Sequence, residues 1–267
     1  MLHNYNGTYS ENISINITNR SFLYGDGFFE SVRMFNCRIF NKNNHHNRIQ
    51  YALSKLNLKL EISIDELFLQ LEVLAKKNKV KLGGLARISI FRNEGGLYTP
   101  TTNDCSYLIK AEPVVTNIFE LTGGIKTAIC DGYIKPQQPL SSLKSSSALT
   151  YVMAALEKKN RGLDELILLN QARNVVEGTN SNIFIVKNDQ IITPPIQDGA
   201  VNGTMRALLL NCFNIHEKTL VESDLIKADE IFFTNFKGLR WVKHLKNHSQ
   251  YSSKKSVEIN RFLNSLI

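Results

Sequence analysis

The sequence predicts a mixed α/β fold in two parts. Segments in which apolar and polar residues alternate, as in strands, are interleaved with segments whose apolar residues recur at helical spacing. The chain has 267 residues, which at about 150 residues per domain corresponds to one large domain or two modest ones. A proline, two glycines and polar residues between positions 113 and 124 have the composition of a domain connection. We therefore predict an N-terminal α/β domain over residues 1–116 and a C-terminal α/β domain over residues 117–267.

The N-terminal part is predicted to contain strands and two helices. Alternating or apolar runs favour strands over residues 28–35, 38–40, 85–91 and 105–112. Apolar residues at helical spacing favour a first helix over about residues 44–58. A second helix opens at Ser63, where the serine can accept a backbone N–H and Glu66 can reach back, forming a capping box. We expect Gly83 and Gly84 to end this helical segment.

The C-terminal part is predicted to alternate between strands and helices. Apolar or alternating runs favour strands over residues 125–129, 166–169, 175–177, 182–186, 190–193 and 231–233. A loop rich in proline and serine over residues 135–147 leads into a helix that carries Leu149 and ends before Gly162. Two more helices are predicted over residues 204–213 and 253–267.

The composition excludes several classes of protein. Charged residues make up 21% and hydrophobic residues 43% of the chain, as in an ordinary globular protein and unlike a disordered or collagenous one. Uninterrupted apolar runs reach about six residues, whereas a membrane-spanning helix needs about 20. The first residues lack the basic and apolar stretches of an export signal, and the four cysteines lie far apart. We expect a cytoplasmic protein with reduced thiols and no membrane partner.

The formal charge of +8 leaves three interpretations open. It could indicate a nucleic-acid surface, a preference for anionic small molecules, or solubility alone. Basic residues become more frequent after Lys237, but few aromatic residues are interleaved with them. A solvated surface is therefore favoured over a nucleic-acid face. The six histidines show no metal-binding spacing, so we expect no metal site.

Lys144 has the most unusual local sequence of the lysines. It lies in a stretch of serines immediately before the helix that begins near Leu149. The N-terminus of a helix carries positive partial charge, which favours the neutral form of an amine. A neutral amine can form a Schiff base with an aldehyde or a ketone. An exposed lysine in a loop is the alternative interpretation.

Glu177 and the residues after it form a second candidate. Glu177 stands between two valines and a polar turn over residues 178–182. A carboxylate between buried strands needs a cationic or N–H partner, and a protonated pyridine nitrogen or an ordinary arginine would both serve. The turn, which includes Asn180 and Ser181, offers N–H groups and hydroxyls that could hold an anion.

Two further features could bind phosphate. Gly203 and Thr204 begin a predicted helix, and the free N–H groups of a helix start commonly bind phosphate. Capping of this helix by Asn202 is the alternative. Arg48 lies beside the apolar stripe of the first helix, where it could reach a phosphate with two nitrogens or be solvated.

These candidates belong to a series of segments that follow one another in a characteristic order. The segments are residues 21–30, 45–49, 143–144, 164–170, 176–184, 193–195, 203–206 and 228–232. The run 176–184, VEGTNSNIF, is the most specific of them. Together they resemble the class IV aminotransferases, the fold-type IV enzymes that use pyridoxal phosphate. The resemblance covers nearly the whole chain and implies a two-domain enzyme, typically a homodimer, whose C-terminal domain carries the Schiff-base lysine.

The resemblance implies a role for each candidate residue. Lys144 matches the lysine that forms the Schiff base and moves a proton at the substrate α-carbon. Glu177 matches the carboxylate that pairs with the pyridine nitrogen of the cofactor. Arg48 and the N–H groups of Thr204 and Met205 match the groups on its phosphate. The further cofactor-binding residues implied are Asn180, Ser181, Gly203 and Leu149. The substrate-side residues implied are Phe29, Glu30, Tyr98, Thr234, Asn235 and, for a substrate carboxylate, Arg92.

The resemblance leaves two activities open. One is transamination between an amino acid, of branched-chain or D-amino-acid type, and a 2-oxo acid. The other is that of 4-amino-4-deoxychorismate lyase, which makes p-aminobenzoate and pyruvate for folate synthesis. Met205, where transaminases usually carry threonine, and residues 234–236 are similar to the lyase, whereas Phe29 and Glu30 are similar to the transaminases. The segment 95–98 also lacks an arginine that some lyases carry.

We place transamination first because it is the commoner chemistry of the family. The partner is then a small amino or oxo acid, or aminodeoxychorismate for the lyase. A non-catalytic basic binding protein is a remote alternative, because only the net charge supports it.

Overall fold

The computed structural model describes residues 1–246 and 251–267. The chain divides into two compact units, the first made of residues 1–118 and 143–148 and the second of residues 119–142 and 149–267. The boundary expected between residues 116 and 117 thus falls close to the division after residue 118. The expected place of Lys144 in the C-terminal domain needs correction, because residues 143–148 pack with the first unit.

The first unit is built on an antiparallel sheet. Its elements are β1 (His3–Tyr5), β2 (Thr8–Ser10), α1 (Arg20–Tyr24), β3 (Gly27–Phe35), β4 (Arg38–Ile39), α2 (Lys42–Lys55), α3 (Ile64–Lys77), β5 (Gly83–Arg92) and β6 (Cys105–Val114). Within the described residues the strand order is β2-β1-β6-β5-β3-β4. Ile49 of α2 and Leu71 of α3 are fully buried against Val32 and Ile88 of the sheet, so these two helices and the sheet enclose the core.

Helix α3 forms where its sequence predicts. Ser63 accepts the N–H of Glu66 at 3.1 Å, which supplies the expected N-terminal cap. The helix ends at Lys77, before the two glycines, which instead begin β5. Gly83 is required there because a Cβ at this position would lie 2.1 Å from the carbonyl oxygen of Thr116.

The second unit is built on a mixed sheet. Its elements are β7 (Ile125–Ile129), α4 (Leu149–Asn160), β8 (Glu165–Leu169), β9 (Val175–Gly178), β10 (Asn182–Lys187), β11 (Gln190–Thr193), α5 (Thr204–Cys212), β12 (Ile215–Glu217), α6 (Glu222–Ile226), β13 (Glu230–Asn235), β14 (Gly238–Leu245) and α7 (Lys254–Ser265). In the part of the chain that is described, the strand order is β12-β11-β10-β13-β14-β7-β8-β9. Because β10 also pairs with β9, the strands from β10 to β9 form a closed ring. The predicted mixed α/β class is confirmed, with parallel β7–β8 and β14–β7 pairs beside antiparallel ones.

Most elements without a predicted counterpart are short. These are β1, β2, α1, β12, α6 and the longer β14. The basic residues of β14 favoured a solvated surface, but Leu239, Val242 and Leu245 of this strand are buried. Strand β14 lies between β13 and β7, so its apolar residues contribute to the core. Among the helices described, none is long and apolar enough to cross a membrane.

Candidate active site

The segment that carries Lys144 is bonded to the start of β3 in the first unit. The N–H of Phe29 donates to the carbonyl of Lys144 at 3.0 Å, and the N–H of Ser146 donates to the carbonyl of Gly27 at 2.9 Å. Strand β4 pairs with the C-terminal end of β3, at Met34 and Phe35. The Lys144 segment lies along the same edge of β3, at its N-terminal end. The backbone of residues 144–146 is therefore fixed to β3, and Lys144 does not lie in a free loop.

The side chain of Lys144 lies against an aromatic ring. Its Nζ is 4.5 Å from the centroid of Phe29, one of the predicted substrate-side residues. The guanidinium carbon of Arg87 lies 3.6 Å from the same centroid. Arg87 is not among the site residues predicted from the sequence. The available signal was a cation between Ala86 and Ile88, two apolar residues of the predicted strand that became β5, which pairs with β3.

Glu30 forms a buried cluster with Arg48 and His45. Its carboxylate accepts from Nε and Nη2 of Arg48, each at 2.7 Å, and contacts Nδ1 of His45 at 2.7 Å. Burial would raise the pKa of Glu30, but the Arg48 guanidinium and His45 outweigh it and lower the pKa to about 2. Glu30 is 1% exposed, so its predicted position on the substrate side needs correction. Its carboxylate instead fixes the orientation of Arg48, the residue expected on the cofactor phosphate.

Arg92 also has a different role from the one expected. Its Nε donates to Asp26 at 2.9 Å, its Nη1 to the Asn103 side chain at 2.6 Å, and its Nη2 to the Leu56 carbonyl at 2.7 Å. All three nitrogens are therefore engaged in a buried link, and Arg92 is not the ligand of a substrate carboxylate. Asp26 also accepts from Arg20 at 2.8 Å.

Tyr98 is the most exposed of the predicted substrate-side residues. Its side chain is 90% exposed, and its ring centroid lies 5.6 Å from that of Tyr24. Nothing in the first unit encloses it, so its assignment stays a prediction.

In the second unit, Glu177 lies at the end of a row of three polar residues that crosses the sheet. Asn182 of β10 is in register with Glu177 of β9 on one side and with Thr234 of β13 on the other. Residues directly opposite each other project on the same face of an antiparallel pair. Glu177 is 3% exposed, and its Oε2 accepts the Val201 N–H at 3.0 Å. Asn182 donates to the Val201 carbonyl at 2.8 Å, so the loop before α5 is held over this row.

Helix α5 begins at the end of this loop. Gly203 is its N-cap residue, so the expected alternative of an Asn202 cap is not what the structure has. A Cβ on Gly203 would lie 1.9 Å from Oδ1 of Asn182, so a residue without a side chain is needed for this close approach. The backbone of Thr204 and Met205 thus forms the first turn of a helix directly beside β10.

Thr234 has a buried hydroxyl without a partner. Its Oγ1 neither accepts nor donates a hydrogen bond among the described residues. Water cannot readily serve as the partner, because the residue is only 1% exposed. An unpaired buried polar group costs free energy, unless a ligand satisfies it. Helix α5 packs against β13, which carries Thr234. The close approach of Gly203 to β10, the start of α5 and the unpaired hydroxyl of Thr234 together fit the phosphate of pyridoxal phosphate.

Replacing Gly203 by alanine is expected to weaken pyridoxal phosphate binding by roughly tenfold or more, since the new methyl group must displace Asn182 or the loop. The free energy of unfolding should fall by about 1–3 kcal/mol for the same steric reason. Absorbance titration measures the first quantity and urea unfolding the second. Gly123→Ala is the matched control, because nothing lies within 4 Å of a Cβ at that position. Wild-type affinity in Gly203→Ala would contradict the phosphate assignment.

The turn after Glu177 binds a carboxylate of the chain itself, that of Glu165. The N–H of Thr179 donates to the fully buried Glu165 at 2.9 Å, and the Ser181 hydroxyl donates to it at 3.1 Å. Arg240 is also bonded to Glu165 and donates to the Asn180 side chain at 3.3 Å. The cofactor-binding roles implied for Asn180 and Ser181 stay a prediction. Their polar side-chain atoms hold this turn together.

Asn235 and Leu149 are the two remaining residues of the second unit that were predicted to lie at the site. Asn235 donates to the carbonyl and the side chain of Asn180, both at 3.3 Å, so it supports the same turn. Leu149 is 70% exposed and begins α4, and the apolar Val152 and Leu156 of the same helix are also exposed. Only Ala154 of α4 is fully buried, which explains why the helix could be predicted but its inward face could not.

The fold is shared with enzymes of solved structure. A branched-chain aminotransferase of Thermoproteus uzoniensis superposes with a TM-score of 0.87 at 23% identity, covering 98% of this chain and 93% of that one. A 4-amino-4-deoxychorismate lyase of Pseudomonas aeruginosa superposes with a TM-score of 0.84 at 23% identity, covering 99% of this chain and 97% of that one. The architecture is that of the fold-type IV enzymes.

Sequence comparison identifies the family. The family model of amino-transferase class IV matches residues 27–242. A D-alanine aminotransferase of Bacillus licheniformis is 26% identical over 234 residues, which are 83% of this chain and 79% of that protein. The chain belongs to the class IV aminotransferases and is an enzyme of this family, as its ordered motifs predict.

Proposed function

We propose that the protein is a pyridoxal-phosphate-dependent transaminase, which transfers an amino group between an amino acid, of branched-chain or D-amino-acid type, and a 2-oxo acid. The observation that carries the proposal is the position of Lys144. Its amine lies 4.5 Å from the Phe29 ring, on a segment whose backbone is bonded to β3 at Lys144 and Ser146. Membership of the class IV family and similarity to a D-alanine aminotransferase support the same chemistry.

When bound, pyridoxal phosphate supplies an electron sink for the bonds that break at the substrate α-carbon. Lys144 Nζ would attach the cofactor and, as a free amine, would move the proton at the substrate α-carbon. Glu177 would offer its negative charge to the ring nitrogen. The helix start at Thr204 and the hydroxyl of Thr234 would hold the phosphate, and Arg48 is the arginine that the family resemblance implies for the same group.

Arg87 is our candidate for the group that binds the substrate carboxylate. Arg92, the residue implied for this role by the resemblance, has all its nitrogens engaged elsewhere. Arg87 and Lys144 contact the ring of one residue, Phe29. An amino acid whose nitrogen reacts near Lys144 carries its carboxylate one carbon away, and a guanidinium can bind that group with two hydrogen bonds.

The lyase reaction on 4-amino-4-deoxychorismate is the second candidate. Met205 favours it, because this methionine is buried in the first turn of α5, where the transaminases usually carry threonine. The fold is compatible with both activities, since enzymes of both kinds share it.

The two activities can be separated with purified protein in two reactions. One contains aminodeoxychorismate, and the other contains branched-chain or D-amino acids with 2-oxoglutarate. We expect glutamate in the second reaction, and the amino acid consumed identifies the stereochemistry. Pyruvate with p-aminobenzoate in the first reaction alone would establish the lyase instead. A protein that yields neither product set and takes up no pyridoxal phosphate would exclude both activities and revive the binding-protein alternative.

We further propose a homodimer in the cytoplasm. Phe22, Leu97 and Tyr98 expose large apolar side chains in the first unit, as residues of a protein interface do in an isolated chain. All four cysteines are unpaired thiols, which suits a reducing compartment. Sedimentation equilibrium of the purified protein tests the dimer, and a monomer at micromolar concentration would exclude it.

A further inference from the structure

A tyrosine of α4 bonds to Glu177, the carboxylate that we place at the cofactor ring nitrogen. The hydroxyl of Tyr151 donates to Oε1 of Glu177 at 2.6 Å. Burial, and then the charge of Glu177, raise the pKa of Tyr151 well above its ordinary value of 10. The phenol is therefore protonated at neutral pH and donates its hydrogen to the carboxylate.

Lys135 approaches the same carboxylate from a greater distance. Its Nζ lies 3.5 Å from Oε1 of Glu177 and donates to the carbonyl of Ser141 at 3.0 Å. It also lies 4.9 Å from the centroid of the Tyr151 ring, so the tyrosine stands beside the ammonium as well as the carboxylate. Lys135 and Glu177 are both buried, and the pair balances one charge with the other.

The hydrogen-bond donors around the Glu177 carboxylate leave one acceptor position for a further donor. A carboxylate has about four acceptor positions. Tyr151 and Lys135 are directed to Oε1, and the Val201 N–H is directed to Oε2. Helix α4 and the loop before α5 thereby hold the carboxylate from two sides, while a fourth donor such as a ring N–H can still be accepted.

We propose that Tyr151 is a positioning residue, whose phenol holds the carboxylate of Glu177 in the orientation that pairs with the ring nitrogen of pyridoxal phosphate. This inference rests on the proposed function, since it requires the cofactor at Glu177. A hydrogen bond to a charged carboxylate stabilises the charge as well as the orientation. Tyr151 thus controls how much negative charge reaches the ring nitrogen, although it does not touch the substrate.

The test is Tyr151→Phe in the holoenzyme, which removes one oxygen and keeps the ring. We expect roughly tenfold weaker pyridoxal phosphate binding, the usual effect of one charge-assisted hydrogen bond. The absorption maximum of the bound cofactor should shift, because the charge opposite its ring nitrogen changes. We also expect kcat to fall by roughly tenfold, with KM for the amino donor changed by less than about threefold. Tyr151→Gln, which keeps a donor on a shorter side chain, should fall between wild type and Tyr151→Phe.

Tyr251→Phe is the matched control. Tyr251 is a buried tyrosine of the same unit, and its hydroxyl donates to the Leu225 carbonyl at 2.9 Å. This variant loses a comparable hydrogen bond, yet it should keep the wild-type spectrum, cofactor affinity and kcat. Far-UV circular dichroism confirms the fold of each variant.

A double-mutant cycle with Glu177→Gln tests whether Tyr151 acts on the cofactor through Glu177. In the glutamine background, Tyr151→Phe should have little further effect on cofactor affinity or spectrum. Fully additive effects, or a Tyr151→Phe enzyme with wild-type spectrum and affinity, would overturn the positioning role and leave the proposed function intact. A wild-type protein that binds no pyridoxal phosphate would overturn both.

Discussion

Replacing Lys144 by alanine is expected to lower kcat for transamination by roughly 10⁴-fold or more, because alanine can neither attach the cofactor nor move the α-proton. The fold should be retained, since Lys144 contributes its carbonyl to the β3 edge and alanine keeps that carbonyl. Borohydride treatment followed by mass spectrometry of the peptides provides an independent measurement. The wild-type peptide with Lys144 should carry the reduced cofactor, and the variant should carry none.

Lys81→Ala is the control for this experiment, because Lys81 is an exposed lysine of the same unit. It should keep wild-type kcat and the cofactor label at Lys144. Unchanged activity in Lys144→Ala, or a label found on another lysine, would show that the chemistry has been assigned to the wrong residue.

Replacing Glu30 by glutamine is expected to lower the free energy of unfolding by about 3–5 kcal/mol at neutral pH. The change leaves the Arg48 guanidinium buried without the carboxylate that pairs with it at 2.7 Å. Urea unfolding followed by far-UV circular dichroism measures the difference. Glu112→Gln makes the same chemical change at an exposed position of the same unit and should be nearly neutral.

The effect of Glu30 should depend on pH in a defined direction. Its pKa is lowered from 4.5 to about 2 in the folded protein. A depressed carboxyl pKa stabilises the folded state above the unfolded pKa, and this contribution is lost as pH falls from about 4.5 towards 2. The stability difference between wild type and Glu30→Gln should therefore shrink over this interval. A difference that stays constant from pH 7 to 3 would mean that the ionised form of Glu30 is not the source of the stabilisation.

Local sequence patterns predicted most long elements because burial and periodicity agree in them. Helix α3 shows this agreement, with a serine cap and a leucine stripe that is fully buried. Strand β14 could not be predicted, since Arg240 and Lys243 interrupt its pattern and obscure the buried Leu239, Val242 and Leu245. Strand β1 and helix α1 are too short for a periodic signal, as they contain 3 and 5 residues.

Local sequence indicates where a candidate residue stands relative to a helix or strand, but it cannot show a contact with a residue distant in sequence. The setting of Lys144 before a helix is local, and so is the position of Glu177 at a strand end. Arg92, in contrast, is engaged by Leu56 and Asn103, which no local pattern connects to it. The polar turn after Glu177 was correctly interpreted as an anion-binding feature, but its anion, Glu165, lies on another strand.

Part of the net charge of +8 comes from arginines that are buried and paired within the chain. Arg20, Arg48 and Arg92 are buried and bonded to carboxylates of the chain itself. These arginines contribute to the formal charge, but they present little of it to a partner. The exposed basic residues are the ones relevant to solubility.

The Lys144 segment belongs to the first unit, yet it follows the first stretch of the second unit along the chain. During synthesis on a ribosome, the edge of β3 is therefore left incomplete until residue 148 has emerged from the exit tunnel. A gene divided between the codons for residues 118 and 119 would encode an N-terminal fragment without this segment and a C-terminal fragment that carries it away from β3. A cut after residue 148 would instead separate residues 119–142, which include β7, from the rest of the second unit, so no single cut yields two fragments that each contain one whole unit.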